Sequence, residues 1–120
     1  MTTLFSALLQ GLGLSQREAA AFLEVRPDTV RSWSAGRRAV PDDAWRSLRG
    51  LADKQAETAL EAYDLWEAQG EPEQVEFLIA ANDAEAQERG WPCVGAQMAA
   101  ARRLFEYLPD DVEILLSARH

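Results

Sequence analysis

The chain holds one cysteine, Cys93, and one histidine, His120, in 120 residues. A single cysteine excludes an intramolecular disulfide. One histidine leaves any metal site to carboxylates and removes the usual base of a catalytic triad, so no metal, no cofactor and no catalytic residue is expected. Adjacent acids such as Asp110-Asp111 lack a histidine or metal to work with. No run approaches 18 uninterrupted apolar residues, so a helical membrane span is not expected. Nor does the N-terminus carry the charged, apolar and small-residue pattern of a secretory signal, and the expected location is the cytoplasm.

What is present is an ordinary globular balance, with 48% hydrophobic and 27% charged residues. A unit of 60 residues buries about 60% of its unfolded surface and one of 150 about 68–70%, so this length supports one modest core or two small ones. The charge is uneven. Residues 1–50 carry seven arginines and five acids, a net +2, whereas residues 51–120 carry five bases and fifteen acids, a net −10. An overall charge of −8 argues against a nucleic-acid surface spread over the chain. The asymmetry confines such a surface to the N-terminal half, where the bases concentrate between Arg26 and Arg49.

Leu4, Phe5, Leu8 and Leu9 lie on one helical face, and Gly11 and Gly13 end that helix. Ser15-Gln16-Arg17-Glu18 is a capping box, so a second helix starts at Gln16 and continues through Ala19, Ala20 and Leu23. Pro27 suits the first turn of a short third helix, in which Val30 and Trp33 share the buried face and Gly36 is the stop. Val40-Pro41-Asp42-Asp43 restarts the chain, and helical spacing persists over roughly 42–69 as two helices or one long bent one, up to Gly70-Glu71-Pro72.

The last third mixes strands with helices. Val75, Phe77 and Ile79 alternate as a strand, and Asn82-Asp83-Ala84-Glu85 opens a short helix that stops near Gly90. Val94, Met98, Ala101, Phe105 and Leu108 form a helical stripe ended by Pro109, after which Val112, Ile114 and Leu116 alternate as a second strand. Two lone strands are marginal in water, so they must pair over a helix or with a second subunit. The expected fold is mainly α, with a helix-turn-helix bundle over 1–52 and a small acidic α+β region over 53–120. That second region is the candidate dimerisation domain.

Two helices joined by a turn of three or four residues bring the second to an angle at which it enters a major groove. Such a unit needs small or apolar residues at Ala20, Val25, Val30 and Trp33, and all are there. Leu14-Ser15-Gln16, Ala20, Val25, Val30, Trp33 and Gly36 resemble the pattern of the Xre/Cro-like helix-turn-helix repressors, and the match covers about residues 4–51. Where the family has glycine in the turn, this chain has Glu24, whose Cβ in a left-handed turn costs about 1–2 kcal/mol, so the turn is either remodelled or slightly strained. Trp33-Ser34-Ala35-Gly36-Arg37-Arg38-Ala39-Val40-Pro41-Asp42-Asp43, followed by an acidic tail, resembles the small dimeric anti-CRISPR-associated repressors. That resemblance implies a homodimer whose tail pairs the subunits and whose heads read an inverted repeat beside the operon it controls.

The residues expected at DNA are Gln16, Arg26, Asp28, Thr29, Arg31, Ser32, Arg37 and Arg38. Gln16, opening the second helix, either holds a phosphate with the helix N–H groups or is an exposed polar residue. Arg31 either forks onto guanine O6 and N7 or clamps a phosphate. Ser32 is a candidate for a base edge, Thr29 for a thymine methyl or a phosphate. Asp28 accepts from cytosine N4 or only complements the helix dipole. Arg26, Arg37 and Arg38 flank the helix and position the backbone, or are solvated surface. Trp33 and Trp45 fall on apolar stripes and are expected in the core, and Cys93 as a buried small hydrophobe. Val94, Met98, Ala101, Phe105, Leu108, Val112 and Ile114 are the candidate dimer contacts.

A rival class is an antitoxin-like or inhibitor protein whose acidic half grips a basic protein partner. Binding to RNA hairpins stays open beside DNA.

Overall fold

The computed structural model describes residues 2–118, which leaves His120, the only histidine, outside the described part. The molecule is mainly helical with one small two-stranded sheet. It divides into two compact units, Met1–Ala52 and Asp53–His120.

In the first unit, α1 (Leu4–Gly11) is capped by Thr3, whose hydroxyl accepts from the Ser6 N–H at 3.1 Å. The same hydroxyl donates to the Ser34 carbonyl at 2.8 Å, which ties the start of α1 to the end of α3. The capping box on α2 (Gln16–Leu23) forms in both directions: Ser15 Oγ accepts from the Glu18 N–H at 3.0 Å, and Glu18 Oε1 accepts from the Ser15 N–H at 2.9 Å. Pro27 opens α3 (Pro27–Ser34), where its fixed φ suits the first turn and its missing N–H costs nothing. Phe5, Leu9, Ala19, Ala20, Val30 and Trp33 are buried together with Leu48 and Leu51. At their centre the Phe5 ring meets Trp33 edge-on at 5.7 Å and Trp45 at 6.0 Å. Of the two tryptophans expected in the core, Trp33 is buried and Trp45 half-buried.

The helix that starts at Asp42 runs unbroken to Ala68 as α4, the single-helix alternative of the two that the spacing allows. Gly50 lies inside it without ending it, because the surrounding apolar spacing and hydrogen-bond ladder outweigh the roughly 1 kcal/mol penalty of one glycine.

In the second unit, β1 (Gln74–Ile79) and β2 (Glu113–Ala118) pair in parallel, from Gln74 opposite Glu113 to Ile79 opposite Ala118. Parallel pairing requires a crossover, and α5 (Asp83–Glu88) and α6 (Val94–Tyr107) supply it. Val112 falls just before β2, since pairing begins at Glu113. Gln97 links α6 to β1 from inside: its Oε1 accepts from the Ala80 N–H at 2.8 Å and its Nε2 donates to the Leu78 carbonyl at 3.3 Å. Gln55 of α4 donates to the Ala96 carbonyl at 2.9 Å. Both glutamines are buried, so each hydrogen bond also cancels a desolvation cost.

The apolar stripe read along α6 is only partly buried: Ala101 and Leu108 are buried and Val94 half-buried. Ala96, Gln97, Ala99, Ala100 and Leu104 are buried with Ala101, while Met98 and Phe105 are 43% and 69% exposed. Small residues lie inward because the helix packs close to its neighbours, which leaves the larger side chains outside. On the sheet, Phe77 is buried, but its partner Leu116 is 48% exposed. Cys93 is buried.

Candidate nucleic-acid interface

The segment that carries the candidate site is α2, a three-residue turn from Glu24 to Arg26, and α3. Glu24 adopts the left-handed conformation, φ 56° and ψ 44°. Its N–H reaches the Ala21 carbonyl at 3.3 Å, and the Val25 N–H reaches the Ala20 carbonyl at 3.0 Å. This paired closure is a Schellman motif, which usually places glycine at the left-handed position. The ends of α1 and α3 close in the same way on Gly13 and Gly36. The turn therefore keeps its glycine geometry while carrying a side chain, and of the two alternatives it is the strained one, present as a positive φ.

Burial on α3 is one-sided. Val30, Trp33 and Ser34 face inward. At about 100° per residue, Asp28 and Ser32 fall on the opposite side, and Thr29 and Arg31 lie on the two flanks. Asp28 and Arg31 are exposed, Thr29 and Ser32 half-buried. Arg31 Nη1 donates to Asp28 Oδ1 at 2.8 Å, one turn back along the same helix. The bond gives the arginine a preferred direction, with 62% of its side chain exposed.

The remaining expected residues sit around this face. Gln16 occupies the first position of α2 and is exposed, Arg26 is the exposed N-cap residue of α3 with no side-chain cap bond, and Arg37 and Arg38 are exposed just after Gly36. Two residues were missed by sequence reasoning. Arg17 is a further exposed cation on the first turn of α2, detectable only as one of the seven arginines of residues 1–50. Thr3 anchors the end of α3, and nothing in the local pattern marks a threonine 31 positions away as its partner.

Such an arrangement can seat a helix edge-on in a groove about 12 Å wide and present an amide, a hydroxyl and a guanidinium there, with cations toward flanking phosphates. The chain matches no model of a known protein family and no curated protein.

Proposed function

We propose that the protein is a sequence-specific, DNA-binding transcriptional repressor of the Xre/Cro-like helix-turn-helix type, similar to the anti-CRISPR-associated repressors. It acts in the cytoplasm, without enzymatic activity, as a homodimer on an inverted repeat that controls its own phage or anti-CRISPR operon. The observation that carries this reading is the division of α3: Val30 and Trp33 lock it into the core, while Asp28, Arg31 and Ser32 stand outward between flanking arginines.

The exposed apolar side chains of the second unit support the dimer. Met98 and Phe105 stand out from α6, and Leu115 and Leu116 from the edge strand β2. A sheet of two strands with an open edge gains stability by pairing. Val94, Ala101, Leu108, Val112 and Ile114 are half-buried or buried and would line the contact from beneath. Two heads so joined read half-sites about 34–36 Å apart.

The experiment is a mobility shift on the protein's own upstream region against a scrambled duplex at two salt concentrations. The expected result is preference for an inverted repeat and affinity that falls steeply with salt as phosphates are neutralised. Equal retention of both duplexes refutes sequence reading. The same exposed apolar surface on a unit of charge −10 also suits an antitoxin-like or inhibitor role, and co-purification of a basic protein in place of DNA would select that reading.

A further inference from the structure

The first unit contains an apolar cavity of about 450 Å³ between α1 and the start of α4, apart from the outward face of α3. Its α1 wall is Leu4, Leu8 and Leu12, spaced one turn apart over about 12 Å of helix. Trp45 and Leu48 form the facing wall. Arg46 and Arg49 line it too, both exposed, and neither is in an ion pair among the described residues.

We infer that this cavity is a binding site for a linear amphipathic carboxylate, with the alkyl chain along the leucines and the carboxylate at Arg46 and Arg49. The size lies within the 300–1,000 Å³ typical of small-ligand sites, and so does the composition, apolar walls with a few polar groups at one place. Charge selects among occupants. A second copy docked symmetrically on this face would bring its own two guanidiniums against these two, and a cationic or neutral amphiphile leaves both arginines unanswered. A carboxylate accepts from arginine through paired N–H groups. Among the lining leucines Leu4 is 68% exposed, whereas Leu12 and Leu48 are only 4% and 2% exposed. The reading of α3 as a DNA-binding element plays no part in this inference. The site nonetheless lies close to α3, because Trp45 touches Phe5 and Phe5 touches Trp33.

The test is calorimetric titration of the full chain with hexanoate, octanoate and decanoate below their aggregation concentrations, with methyl chemical shifts of Leu8 and Leu48 to locate binding. One saturable site is expected, tightening about threefold to fourfold for each methylene. Arg46→Glu with Arg49→Glu, both on the surface, should weaken decanoate at least about tenfold. Ala52→Phe, which fills the cavity, should abolish binding, and a circular dichroism spectrum like that of the parent chain shows that each variant folds. Absence of saturable binding, equal affinity for decyltrimethylammonium, or shifts confined to other leucines overturns the proposal. So does self-association of the parent chain that the double arginine variant removes, which would make a second copy the occupant.

Discussion

Asp28 accepts a 2.8 Å hydrogen bond from Arg31, one turn further along α3, while 86% and 62% of the two side chains remain exposed. A pair so open to water contributes little to folding, about 0.2–0.5 kcal/mol for helix neighbours. Its effect is directional. Asp28 restricts where the guanidinium points and places an anion beside any phosphate that approaches.

Asp28→Ala should therefore leave the urea midpoint almost unchanged while raising affinity for scrambled duplex and reducing discrimination. Arg31→Ala should lose about 1–3 kcal/mol of discrimination at one base position. Competition binding with a library of single-base operator variants measures both. If Arg31→Ala retains its full preference at every position, Arg31 reads no base.

Glu24 is the next test, in stability. Its left-handed φ of 56° costs about 1–2 kcal/mol for a residue with a Cβ. Part of that is offset by the backbone entropy a glycine would lose. Glu24→Gly should stabilise the first unit by about 0.5–1 kcal/mol, whereas Glu24→Ala, which keeps the Cβ, should not. Urea titration of the two variants side by side separates backbone strain from loss of the carboxylate.

Gly50 gives the opposite case. It lies in the interior of α4, and a Cβ built there meets nothing within 4 Å. Gly50→Ala should stabilise the helix by about 0.5–1 kcal/mol, because alanine leaves less backbone freedom to lose on folding. A fall in melting temperature would show that this stretch of α4 bends or is covered in solution.

Phe105 and Met98 test the dimer. Each is substantially exposed on α6, at 69% and 43%, so replacing them with glutamate removes less packing within the chain than a change at a core position would. Phe105→Glu with Met98→Glu should preserve the helical circular dichroism signal and convert a dimer to a monomer in sedimentation equilibrium. A double variant that remains dimeric places the interface elsewhere.

Ser34 offers a fifth test. Its hydroxyl is buried with no hydrogen-bond partner among the described residues, although its carbonyl accepts from Thr3. Ser34→Ala removes an unanswered polar atom and keeps the carbonyl, so melting temperature should hold or rise. A loss above about 1 kcal/mol would mean that the hydroxyl is paired in solution.

Much of the local structure was readable in the residues themselves. Ser15 and Glu18 define the start of α2 because a capping box closes within four residues, and Pro27 and Gly36 bracket α3 for equally local reasons. The two strands were legible from alternation at Val75, Phe77 and Ile79 and again around Ile114. These signals depend on hydrogen bonds and side-chain periods that span a few positions, and distant parts of the chain do not alter them.

Tertiary structure decided what local pattern leaves open. That α4 is one helix, that β1 and β2 run parallel, and that α6 turns its alanines inward and Phe105 outward depend on how closely neighbouring elements approach. The link from Thr3 to Ser34, the Asp28–Arg31 pair and the cavity between α1 and α4 arise in the same way. Periodicity shows that a helix has an apolar stripe. Only packing, which weighs side-chain volume against the space available, determines whether that stripe is buried or left for a partner.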